Sequence, residues 1–86
     1  MEVMEAVEYY ESQRLGLGAA LDADLDRALQ FISDNPRLGS PSGKDTRRVL
    51  LDRFPYGVVY RTLADRVMVV AFAHLKRRPG YWSGRL

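Results

Sequence analysis

In this 86-residue chain the groups best suited to chemistry gather in one stretch, Val69 to Trp82 (VVAFAHLKRRPGYW). It holds the only histidine, His74, followed by Lys76, Arg77 and Arg78 and then by Tyr81 and Trp82. An imidazole gives and takes a proton near neutrality, as acid–base catalysis demands. Three neighbouring cations repel one another, bring no evident benefit to folding, and suit an anionic partner. Tyr81 and Trp82 present faces on which nucleic acid bases stack, an interaction of roughly 1–3 kcal/mol per base. Simpler roles compete with each of these. His74 could be a hydrogen-bonded residue closing a strand, Trp82 a side chain packed onto a sheet, and Arg61 a surface partner of Asp52 or Asp65.

The charge distribution sharpens the first group of readings. Residues 1–36 carry two arginines against eight carboxylates, a net −6, whereas residues 37–86 carry eleven cations against three, a net +8 within an overall +2. A half so basic attracts nucleic acid or an acidic protein surface, though a charge run also makes an ordinary solvated face. There is no cysteine, so disulfides and thiolate metal sites are excluded, and no pattern asks for a cofactor or a metal. The longest apolar run, Val67 to Ala73, is far below the roughly 20 residues of a membrane-spanning helix. The first residues lack a basic, apolar leader, so a soluble cytoplasmic protein is expected. At 86 residues and 47% hydrophobic content, one domain over 1–86 is expected.

The elements that must position these groups follow from hydrophobic spacing. Val3, Val7 and Tyr10 recur at helical intervals among Glu2, Glu5, Glu8 and Glu11, and Leu15-Gly16-Leu17-Gly18 ends that helix. Leu21, Leu25, Ala28, Leu29 and Ile32 form one stripe of a second helix, with Asp22, Asp26 and Gln30 opposite, until Asn35-Pro36 stops it. Residues 1–36 therefore predict an antiparallel helical hairpin. Gly39-Ser40-Pro41-Ser42-Gly43 reads as a flexible connecting loop. From residue 46 onward the period changes to two, giving three strands: Arg47–Leu51, Val58–Arg61 and Val67–His74, broken at Phe54-Pro55-Tyr56-Gly57 and Leu63-Ala64-Asp65-Arg66. The expected fold is α+β: a two-helix hairpin packed on a small antiparallel meander, with the basic segment at the end. Strict alternation in the last strand places Met68, Val70, Phe72 and His74 on one face and Val67, Val69, Ala71 and Ala73 on the other. The core is expected to close against Val49, Val59 and Val69. Arg48 and Arg61 are expected to reach His74 and Lys76 from the adjoining strands.

Read in order, Glu8-Tyr9-Tyr10-Glu11-Ser12-Gln13-Arg14, Leu15-Gly16-Leu17-Gly18, Asn35-Pro36, Arg47-Arg48-Val49-Leu50, Phe54-Pro55-Tyr56, Val59-Tyr60-Arg61, Ala73-His74, Arg77-Arg78-Pro79 and Tyr81-Trp82 resemble the RelE/ParE toxins of bacterial type II toxin–antitoxin modules. The resemblance implies a cytoplasmic toxin related to plasmid stabilisation proteins, held silent by a cognate antitoxin, either within a toxin–antitoxin hetero-oligomer or with a homodimer as a further state. It also implies a β-strand ahead of the first helix. This chain begins inside the helix, so the resemblance predicts a bare strand edge that an antitoxin segment or a second copy would occupy.

Two activities follow from the two branches of the family. The RelE-like branch resembles ribosome-dependent messenger RNA endonucleases, which would give His74, Arg77 and Tyr81 catalytic roles: a base, a cation for the developing phosphorane and an acid for the leaving oxygen. Leu50 stands at a position that is basic in that pattern, and Gly57 where the pattern prefers arginine, so the nuclease set is incomplete. The ParE-like branch resembles inhibitors of DNA gyrase, which act by binding. On that preferred reading Arg48, Arg61, Lys76, Arg77 and Arg78 form the target-binding surface. A degenerate toxin that retains only antitoxin binding is the third reading.

Overall fold

The structure, a computed structural model, describes residues 3–76. The first helix, α1 (Val3–Gln13), buries Ala6 completely and lays Val3, Val7 and Tyr10 against the core, leaving Glu5 and Glu8 in solvent. The chain turns at Gly16, whose φ of 91° is the left-handed conformation that glycine adopts without a Cβ penalty. Glycine at this position offers no side chain to cap the next helix, α2 (Leu17–Asp34). Glu11 supplies the cap from the preceding helix: its carboxylate accepts from the Gly16 N–H at 3.0 Å and the Gly18 N–H at 2.9 Å. Gly18 thus lies inside α2 rather than in the break. A Cβ there would stand 2.8 Å from the Val7 carbonyl oxygen, so the two helices approach closely only because the residue is glycine.

α2 buries Leu21, Asp24, Leu25, Ala28 and Ile32 and ends where Asn35 donates its backbone N–H to Phe31 O at 2.8 Å, just ahead of Pro36. Leu29, expected on the buried stripe, sits at its margin and is 37% exposed.

The segment expected as a loop is a strand. β1 (Ser40–Gly43) pairs antiparallel with β2 (Thr46–Leu50), Ser40 opposite Arg48 and Pro41 opposite Arg47. Their turn places Asp45 at φ 62°, a conformation aspartate tolerates better than most residues. Proline lacks an N–H and is admitted to a sheet at its edge, which is where β1 lies. Its composition reads as a loop because this strand owes its existence to the neighbouring edge of β2 rather than to propensity. The linker before it is locked: the Tyr60 hydroxyl accepts from the Gly39 N–H at 3.1 Å and donates to Pro36 O at 2.9 Å, and Arg47 donates to Gly39 O at 2.9 Å.

β3 (Tyr56–Thr62) and β4 (Val67–His74) complete a four-stranded antiparallel sheet in the order β1-β2-β3-β4. Tyr56, Val58 and Tyr60 face the helices, while Val59 lies on the opposite face with Ala71, Ala73 and half-buried Val70. The core expectation therefore changes at two of its three strand positions. Val49 does pack on the helical side, but Val58 and Tyr60 take the place of Val59, and Val69 is 51% exposed. An uninterrupted apolar run such as Val58-Val59-Tyr60 is buried on both faces, so periodicity cannot assign its sides.

The alternation expected in β4 fails for a different reason. Val59 opposes Ala71 and Tyr60 opposes Val69, so Val70 is an extra residue, a β-bulge. A bulge inverts the facing of everything beyond it. Val67, Val69, Phe72 and His74 consequently share the helical side, and Met68, Val70, Ala71 and Ala73 the other. No helix among the described residues is long and apolar enough to cross a membrane.

Candidate functional site

His74 ends β4 directly opposite Tyr56, on the helical side of the sheet. The two rings meet edge to face at 5.0 Å, and Tyr56 stacks on Phe72 at 4.5 Å with an interplanar angle of 8°. Tyr10 of α1 continues the row, edge-on to Tyr56 at 6.3 Å and to Phe54 at 4.9 Å. Each aromatic side chain comes from a different element, so this row ties α1, the β2–β3 connection, β3 and β4 together beneath His74. Burial, reinforced by Tyr10 and Tyr9, pushes the Tyr56 phenol up to about 12, which keeps it a neutral hydroxyl and disqualifies it as a base at neutral pH.

The imidazole itself is engaged. Nδ1 of His74 accepts the backbone N–H of Lys76 at 3.0 Å, closing the turn that follows β4. A neutral ring in this arrangement carries its proton on Nε2. The Pro55 carbonyl accepts from the Leu75 N–H at 2.9 Å and pins the same turn from the other side. Exposed Lys76 leaves the sheet there.

The arginines of the sheet lie elsewhere. Arg48 opposes Val59 and Arg61 opposes Met68, both on the face turned away from the helices. The two are diagonal neighbours on adjoining strands, roughly 7–8 Å apart between Cα atoms. The stem of Arg48 lies over Gly57, where an added Cβ would meet its Cγ and Cδ at 3.1 Å and Leu50 Cδ2 at 3.2 Å. Gly57 therefore provides the floor on which Arg48 rests. Arg61 is five residues along β3 from Tyr56, the partner of His74, which corresponds to about 17 Å. The fold thus sets Arg48 and Arg61 on one face of the sheet, with the Arg48 stem running towards Gly57 and away from Arg61, and separates both from His74 by the sheet itself, instead of joining all of them around Lys76. Arg61 forms no ion pair with Asp52 or Asp65; the ion pair present among the described residues joins Arg27 to Asp24 at 3.5 Å. Arg77, Arg78, Tyr81 and Trp82 lie outside the described residues. So does most of the basic segment.

Asp24, which sequence spacing left unassigned, proves to be a central support. It is 1% exposed on the buried face of α2 and accepts from the Asp52 N–H at 3.2 Å and the Arg53 N–H at 2.8 Å. Those bonds hold the connection between β2 and β3 against the helix. The signal for it was an acid three residues after Leu21 and one before Leu25, on the apolar stripe itself. No group of three or more His, Asp or Glu side chains among the described residues is arranged to hold a metal ion.

With this order of elements established, a family model describes the chain: that of the ParE toxin of type II toxin–antitoxin systems, parDE, matches residues 3–79. The chain belongs to the ParE toxin family. It is accordingly a toxin of a type II toxin–antitoxin module, with an antitoxin as its partner. No curated protein and no solved structure matches it. The ParE match takes in the helical hairpin, all four strands and the first cations of the basic segment.

Proposed function

We propose that this ParE-family toxin arrests growth by binding DNA gyrase through the cationic surface of its C-terminal half, with Arg48 and Arg61 on the open face of the sheet and Lys76, Arg77 and Arg78 past its end. The observation that carries this reading is the disposition of the chemistry-bearing groups. A phosphoryl-transfer site requires base, cation and acid within reach of one phosphate. Among the described residues His74 faces the helical side with Nδ1 occupied by Lys76, while the sheet cations Arg48 and Arg61 face the other side. An inhibitor that works by binding needs no such convergence, only an accessible field of one sign. The uncharged Leu50 and Gly57 beside Arg48 fit a contact surface better than a nuclease centre.

Neutralising Lys76, Arg77 and Arg78 together is expected to abolish growth inhibition and inhibition of gyrase supercoiling while the far-ultraviolet circular dichroism spectrum stays unchanged. His74→Ala is expected to remain nearly as toxic as the wild type. The opposite pattern, messenger RNA cut at defined positions by the wild type and a fall of roughly 10²–10⁴-fold in His74→Ala, the usual span of a general acid–base contribution, would overturn the proposal in favour of the ribonuclease reading.

A further inference from the structure

We infer that β4 is a self-complementary edge and that two copies of this chain pair through it, antiparallel, into one continuous eight-stranded sheet. The outer side of β4 carries no strand among the described residues. Met68 and Val69 on it are 37% and 51% exposed. Between Val67 and His74 the strand has no lysine, proline or acid, the devices with which edge strands usually discourage pairing.

The bulge identifies the occupant. Because Val70 is inserted, the sides of β4 read helical, open, helical, open for Val67 to Val70 and open, helical, open, helical for Ala71 to His74. That pattern is a palindrome about the point between Val70 and Ala71. Residues directly opposed in an antiparallel pair must share a face. A two-fold axis at that point meets the condition throughout: Val67 opposes His74 of the second copy, Met68 opposes Ala73, Val69 opposes Phe72 and Val70 opposes Ala71. Every other two-fold register spanning most of the strand sets a residue of one face against a residue of the other. Without the bulge this register would mismatch everywhere.

Charge agrees with the geometry. Two steps past the strand ends, in the turns that flank β4, the same register brings exposed Asp65 towards exposed Lys76 of the second copy. By symmetry the pair occurs twice, as an isologous interface requires. A peptide of unrelated sequence would have no reason to share this axis.

The test uses the purified full chain without its antitoxin, followed by sedimentation velocity over a concentration series and by amide exchange of Met68 to Ala71. The expected result is a reversible dimer whose formation protects those amides. Val69→Lys is expected to be monomeric throughout. Asp65→Lys and Lys76→Asp are each expected to weaken the dimer several-fold to about tenfold, the range two exposed ion pairs permit. The double exchange, carrying both substitutions, is expected to restore it, which simple destabilisation of the fold would not do. A chain that stays monomeric, whether its β4 amides are protected by another segment or fully open, overturns the inference. So does a dimer indifferent to Val69→Lys and to the charge exchange, because it would use another surface.

Discussion

At the scale of single residues, two groups that look ordinary in the sequence carry measurable consequences. Asp24 is a buried carboxylate whose role is to receive the N–H groups of Asp52 and Arg53. Hydrogen bonds to a charged acceptor contribute about 1.5–3 kcal/mol, so Asp24→Ala should lower unfolding stability by roughly that amount, read as a reduced midpoint in urea. Asp24→Asn retains one acceptor and should fall between. Equal midpoints for all three proteins would refute the assignment. Tyr56 gives the second prediction. Its phenol titrates at about 12 in the folded chain against an ordinary 10.0, so between these values the unfolded state binds fewer protons than the folded one. Stability should therefore be unaffected below pH 10 and fall as pH rises from 10 towards 12. Absorbance at 295 nm should show one tyrosine ionising late, and Tyr56→Phe should remove that late phase together with its share of the alkaline loss.

Among the elements, the helical hairpin depends on a contact that no propensity scale contains. Gly16 begins α2 without a capping side chain, and Glu11 of α1 reaches across to take the Gly16 and Gly18 N–H groups. Removing a cap typically costs about 0.5–2 kcal/mol. Glu11→Ala should show that loss in chemical denaturation, with faster amide exchange confined to the first turn of α2. Glu11→Gln, which keeps an acceptor, should recover part of it. Exchange that rises evenly along α2 would mean that the carboxylate is not acting as a cap.

For the whole molecule the deciding feature is the opposition between an acidic hairpin and a basic sheet with its terminal segment. The ParE family implies an antitoxin partner, and a partner recognising the +8 half by charge would be released by salt. Affinity for the cognate antitoxin should therefore decline between low and physiological ionic strength, chiefly through a slower association rate. Binding that is flat across the series would assign the affinity to apolar burial instead. A groove between the end of α2 and the β3–β4 turn, lined by Leu29, Ile32 and Val69 together with Arg37, Asp65 and Arg66, offers a mixed apolar and charged surface for such a contact.

What the amino-acid order determined alone is the set of elements whose signal is local. Val3, Val7 and Tyr10, and then Leu21, Leu25 and Ile32, mark their helices because a 3.6-residue period needs only neighbours in sequence to be recognised. The termination at Asn35-Pro36, the family resemblance and the three long strands are legible for the same reason, although Tyr56 and Gly57, expected in a break, begin β3, and Leu51, expected in a strand, lies just past β2. Tertiary structure decided what depends on partners distant in sequence. Ser40–Gly43 is a strand because β2 offers it an edge. Val58 rather than Val59 faces the helices because a strand buried on both sides has no preferred face until it is packed. Asp24 can be buried because Asp52 and Arg53, 28 and 29 residues away, bring their N–H groups to it. Above all, a single inserted residue at Val70 turns His74 to the face opposite Arg48 and Arg61. A bulge has no reliable signature in a run such as Val67-Met68-Val69-Val70-Ala71, since its cause is the fit of that strand to β3, and with it went the convergence that spacing alone predicts.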